Sequence, residues 1–165
     1  WALIDFMHAN NAGTALHRTG QWPVPIRAPG VPLVCDNASI QELADLRGSV
    51  VLVIADEPES NDAQVPDVQP QDGARVVSLH LGRGGPGCTA ATHAAWEAFA
   101  ILTGIAPEHF VGTALLTDPG GWLRTVWPPG QRAEWTSPDR LTDAVRQIGS
   151  SPIFNAIGEL HEPHH

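Results

Sequence analysis

Apolar positions in this chain fall into short blocks separated by proline, glycine and acidic stretches. Ser49-Val50-Val51-Leu52-Val53-Ile54-Ala55 is an unbroken β-branched and aliphatic run, which predicts a strand covered on both faces of a parallel or mixed sheet. Ala74 through Leu81 predicts a second strand, and Val31 through Cys35 a short edge strand. Gly112 through Thr117 and Trp122 through Trp127 flank Asp118-Pro119-Gly120-Gly121, the pattern of an antiparallel hairpin. Helical spacing appears over residues 1–20, with Leu3, Phe6, Met7 and Leu16 on one side, although Asn10-Asn11 and Gly13 weaken its middle. It recurs over Thr89–Leu102, with Trp96, Phe99 and Ala100 facing in. It returns from Ser137-Pro138-Asp139 to Ile148, where Leu141 and Val145 face in and proline sits in the first turn. Ser39-Ile40-Gln41-Glu42 has the form of a capping box opening one turn through Leu46.

Between these elements lie two long irregular stretches. Gly20 to Pro32 carries four prolines, which remove amide donors and fix φ, so it reads as an extended arm. Residues 56–73 are acidic and rich in Pro, Asn and Gln, and read as a long loop. The expected organisation is an N-terminal arm over 1–27, an α/β domain over 28–150 and an irregular His-bearing tail over 151–165.

Composition narrows the partners. With 165 residues the chain has the length of one domain. Its net charge is −9 and all nine cations are Arg, so phosphate backbones and anionic lipid surfaces are repelled; a protein partner or a metal ion fits better and nucleic acid does not. No apolar run spans a bilayer, yet the Trp1-Ala2-Leu3-Ile4 opening has no initiator Met. It resembles either the water-side end of a membrane anchor, a tether through the N-terminus, or an amphipathic first helix. Cys35 and Cys88 can form one disulfide in an oxidising compartment or remain two buried thiols; spacing does not decide.

Several side chains are candidates for chemistry. Cys88, at the expected start of the helix over 89–102, is the candidate nucleophile of a one-Cys thiol peroxidase or reductase, because a helix N-terminus stabilises a thiolate. The competing reading is a buried structural Cys. His161, His164 and His165 form a His-rich tail that suits Cu(II), Ni(II) or Zn(II), against the alternatives of an unstructured end or an affinity-tag remnant. His80, on a central strand, and His93, with Glu97 one turn on, are the further metal candidates. Gly82-Arg83-Gly84-Gly85-Pro86-Gly87 lacks the Lys and the spacing of a phosphate-binding loop and reads as a hinge. Among six Trp residues, Trp122 and Trp127 must point to opposite sides of their strand, so one is exposed or lies under the arm. Exposed Trp, with Trp22 and Trp135 as further cases, would mark a docking surface for a structural subunit.

The order of elements, together with Glu42-Leu43-Ala44-Asp45-Leu46-Arg47-Gly48-Ser49-Val50-Val51-Leu52-Val53 and Ala114-Leu115-Leu116-Thr117-Asp118-Pro119-Gly120-Gly121, resembles the thioredoxin-like (redoxin) superfamily over residues 28–148. The resemblance implies a central mixed sheet flanked by helices. In redoxins the strand matching Val50–Ala55 runs into a Cys-containing turn, whereas this chain continues Asp56-Glu57-Pro58-Glu59. The family's Pro before the hairpin strand is replaced, since Gly112 precedes Thr113. Both marks of dithiol chemistry are missing. In setting the chain resembles Sco-type copper-handling redoxins, membrane-anchored periplasmic domains whose copper site uses two Cys and one His. The resemblance implies a degenerate, non-catalytic accessory module, periplasmic or otherwise extracytoplasmic, in which copper would have only histidines to bind.

Overall fold

The computed structural model describes residues 3–19, 22, 24–36, 39–56, 74–82, 85–90 and 92–153. Helix α1 (Leu3–Thr19) leads into the extended arm. Strand β1 (Val34–Cys35) precedes a 3-10 turn (Leu43–Leu46) and strand β2 (Val50–Ala55). Strands β3 (Val76–Leu81) and β4 (Cys88–Ala90) lead into helix α2 (His93–Thr103). The hairpin β5 (Ala114–Thr117) and β6 (Leu123–Trp127) follows, then helices α3 (Arg132–Thr136) and α4 (Pro138–Ser150).

The strands form one mixed sheet in the order β1-β4-β3-β2-β5-β6. β2 runs parallel to β3 and antiparallel to β5; β3 and β4 are parallel, and β1 closes one edge antiparallel to β4. Alternation along β2 sorts its side chains into two cores. Val51, Val53 and Ala55 join Leu79, Leu81, Phe99 and Phe110 on the α2 face. Val50, Leu52 and Ile54 join Leu116, Trp135, Leu141, Val145 and Ile148 on the α4 face. This two-sided burial is what the unbroken apolar run demands, since each fully buried Val, Leu, Ile or Phe side chain gains about 1.5–3 kcal/mol by leaving water. α4 keeps its expected face, with Leu141, Val145 and Ile148 buried at i, i+4 and i+7.

Four local expectations need correction. α2 begins at His93, four residues later than its pattern predicts: the Thr92 side chain accepts from the Ala95 amide as N-cap, and Cys88–Ala90 are taken into the sheet. The capping box also lies further on: Glu42 is the N-cap and the Asp45 carboxylate accepts from the Gln41 and Glu42 amides. These bonds hold the Asp45 carboxyl below its ordinary value. α1 exists but buries a different stripe. Phe6 and Met7 are exposed, while Ala9, Ala12 and Gly13 face the body. A side chain at Gly13 would meet the Ile101 carbonyl at 2.0 Å, so the two helices touch through bare backbone there. Finally, Trp96 is half-buried rather than core, its indole donating to the Pro107 carbonyl at 3.0 Å.

Candidate functional site

The Pro-rich arm is tied down along its length. The Trp22 indole donates to the Leu102 carbonyl at 3.0 Å. The Leu123 amide donates to Ile26 O and the Ala28 amide to Gly121 O, which sets Arg27 opposite Trp122 with its guanidinium carbon 4.5 Å from the ring centroid. Trp122 therefore lies against the arm, and Trp127 is buried in the α4 core; a register shift opposite Leu116–Thr117 interrupts the alternation along β6, so Leu123 joins the α2 core although it is four residues from Trp127. Trp135 is buried in the α4 core. The exposed-Trp docking surface is thus corrected: among the described residues the exposed large apolar side chains are Phe6, Met7, Val24 and Val34.

Held in this way, the arm, α1 and α2 enclose a cavity of about 730 Å³. Ala9, Ala12, Ala95, Ala98 and Leu102 form buried walls between the helices. Short alanine side chains leave the space open, while the Gly13–Gly104 approach fixes how closely the helices meet. The volume is that of a small-molecule pocket, whose typical range is about 300–1,000 Å³.

A second polar feature sits at the C-terminal end of β2. The parallel register sets Ile54 beside His80 and Ala55 beside Leu81, so the residue following β2 reaches the end of β3. Asp56 accepts a hydrogen bond from His80 Nδ1, and both residues are buried. The other ring nitrogen, Nε2, is buried and has no hydrogen-bond partner among the described residues. Gly85 packs on the ring: a Cβ there would lie 2.5 Å from His80 Cε1. Ala55 and Gly112–Thr113 exchange backbone hydrogen bonds beside this pair, with Gly112 at φ +83°.

The sulfur chemistry is elsewhere. Cys35 and Cys88 are directly opposite each other in the β1–β4 register and form a disulfide. The expectation of Cys88 as a helix-start thiolate is corrected on both counts: it is a strand residue, and its sulfur is bonded and buried. His93 is 80% exposed and pairs with Glu97 at 3.0 Å, so it does not share a site with the buried His80. Among the described residues no three His, Cys, Asp or Glu side chains converge to hold a metal ion. The tail histidines His161, His164 and His165 lie outside the described residues, as does most of the acidic 56–73 stretch. No helix among the described residues is long and apolar enough to cross a membrane.

Sequence reasoning missed the groove and the Asp56–His80 pair. The groove's signal was alanine at 9, 12, 95 and 98 with Gly13. The pair's signal was the parallel register, which brings the ends of β2 and β3 together.

No family model matches the chain, and no curated protein matches it. Among solved structures it is similar to a thiol:disulfide interchange protein of the thioredoxin family from Chlorobium tepidum TLS, at 18% identity and a TM-score of 0.51, covering 77% of this chain and 98% of that one. A putative electron transport protein from Aquifex aeolicus VF5 is also similar, at 11% identity and a TM-score of 0.49 over 76% of this chain and 98% of that one. The likeness shows the fold, which is thioredoxin-like α/β.

Proposed function

We propose that this chain is a non-catalytic, thioredoxin-like binding module that works outside the cytoplasm, and that the groove between α1, the arm and α2 is its binding site. One observation carries the reading. The end of β2, where redoxins place a reactive cysteine, holds Asp56 locked to His80, while both cysteines are spent on a cross-strand disulfide at the sheet edge. A carboxylate at that position would disfavour a thiolate even if a thiol were brought there. A disulfide of this kind persists in oxidising compartments and is rare in the cytosol, which supports the extracytoplasmic setting. The groove supports binding because its apolar walls are pre-formed and the arm is held by hydrogen bonds before any ligand arrives.

The test is disulfide exchange. In an insulin-reduction assay fed by a dithiol reductant, the protein should give no turnover above the reductant alone. Catalytic turnover that disappears on alkylating Cys35 and Cys88 would overturn the non-catalytic reading.

A further inference from the structure

The two sulfurs of the disulfide sit in unlike surroundings. Cys88 is 2% exposed, whereas Cys35 is half-buried. The next residue across the sheet from Cys88 is Leu79 of β3, fully buried in the same α2-face core. A thiolate attacks a disulfide in line with the sulfur–sulfur bond, from the side away from the departing sulfur. In-line approach to Cys88 Sγ therefore runs into Leu79. Cys35 lies on β1, the outermost strand on its side of the sheet, and a surface turn with Asp36 and Ser39 exposed follows it. In-line approach to Cys35 Sγ comes from outside the sheet. β1 also carries little of the fold: it has two residues, and the sheet continues as β4-β3-β2-β5-β6 without it.

We infer that this chain is itself a substrate of thiol–disulfide exchange, in which an external dithiol protein reduces Cys35–Cys88 in the folded state by attack at Cys35. The partner's thiolate bonds to Cys35 Sγ, the Sγ–Sγ bond breaks, and Cys88 leaves as a thiolate that takes a proton from water. The partner's second thiolate then attacks its own sulfur in the mixed disulfide, and Cys35 leaves and is protonated in turn. Two electrons pass to the cystine, and the partner ends as its disulfide. The register explains why the partner is a dithiol. The Asp36 amide donates to the Gly87 carbonyl at 3.4 Å, so Cys35 and Cys88 form the non-hydrogen-bonded pair of the ladder, with Cα atoms 4.1 Å apart. That pairing keeps Cys88 beside a monothiol adduct of Cys35, where it re-attacks and expels the monothiol. An attacker with a second thiol of its own resolves the adduct the other way. Resting on the groove as the binding site, the exchange also reaches function, because Cys35 follows the Pro29–Pro32 stretch that walls the groove.

The test uses the full oxidised chain without denaturant. One probe is thioredoxin with its second active-site cysteine replaced by serine, which arrests the exchange at the mixed disulfide for peptide mass mapping. The adduct should form on Cys35. Dithiothreitol, quenched by alkylation at intervals, gives the rate. It should rise in proportion to dithiothreitol concentration and exceed the global unfolding rate followed by tryptophan fluorescence. 2-Mercaptoethanol at equal thiol concentration should reduce the bond about tenfold or more slowly. Val34→Arg and Val34→Asp, at a side chain 77% exposed, should speed and slow the attacking thiolate about two- to threefold in low salt. An adduct on Cys88, no adduct, or a rate capped at the unfolding rate and indifferent to both Val34 variants would overturn the proposal. Equal reduction by the monothiol would overturn the dithiol partner. None of these readouts depends on the groove, and one equivalent of dithiol consumed per chain separates this exchange from insulin turnover.

Discussion

Cys35 and Cys88 are neighbours across β1 and β4 but lie 53 residues apart in sequence, so their bond closes a large loop in the unfolded chain. The loop holds the 3-10 turn, β2 and β3, the centre of the sheet. Chain-entropy arithmetic for a loop of that size gives a stabilisation of about 4 kcal/mol at 25 °C. For a domain of this length that corresponds to a loss of about 8–16 °C in Tm on reduction. Reduction is a cleaner perturbation than serine substitution. Cys88 is 2% exposed, and a serine hydroxyl there would add a burial cost of about 1–3 kcal/mol unrelated to the loop. A buried thiol, by contrast, behaves as a small apolar group. The assay is urea unfolding followed by tryptophan fluorescence, with and without a phosphine reductant. The midpoint should fall, and the m-value should rise slightly because the reduced unfolded chain exposes more surface. A change under about 1 kcal/mol would refute the loop-closure account and mean that the native sheet holds β1 in place unaided.

Two further substitutions test the close approaches. Gly85→Ala puts a methyl 2.5 Å from the buried His80 ring and should cost about 1–3 kcal/mol in chemical denaturation; adding His80→Ala should make the alanine at 85 nearly neutral, and additive effects would contradict the contact. Gly13→Ala drives a methyl into the Ile101 carbonyl, which cannot yield as a side chain can. It should lower stability by a similar amount, about 1–3 kcal/mol, and also weaken groove binding as α1 is pushed off α2, and retained affinity would separate the groove from that helix contact.

What could be read in the sequence tracks how local each signal is. The two-sided strand β2 and the β5–β6 hairpin follow from periodicity and turn residues within a few positions of themselves. α4 was legible because Pro138 opens it and its apolar residues recur at helical spacing. The same logic misplaced α1, because the pattern favours the largest apolar residues, whereas the packing against α2 selected the smallest. It misplaced Cys88 because Cys-Thr-Ala-Ala is compatible with a helix start until pairing with β3 and β1 claims it for the sheet. The Asp56–His80 pair needs a contact between residues 24 apart, available only once β2 and β3 are known to be parallel and in register. The groove is less legible still, since it is made of missing side-chain volume.

The arm shows how these features combine. Ordering a stretch with little regular structure costs about 1–2 kcal/mol per residue, and only isolated bridges and the two residues of β1 offset that here. Pro25, Pro29 and Pro32 lower the cost by limiting the unfolded alternatives. The remaining order comes from ties to four places: Trp22 to α2, Ile26 and Ala28 to the β6 hairpin, Val31 and Leu33 to Leu43 and Gln41 at the 3-10 turn, and Cys35 to β4. A wall held at four places is set before a ligand enters, so binding does not have to order it. The same arrangement makes the disulfide matter to binding as well as to stability. Reduction releases the arm at its β1 end while leaving the tie at Trp22, so it should loosen the groove wall and lower the binding of an apolar fluorescent dye, read by titration, without abolishing it. An affinity unmoved by reduction would show that the hydrogen bonds at Trp22, Ile26, Ala28, Val31 and Leu33 hold the wall without the disulfide.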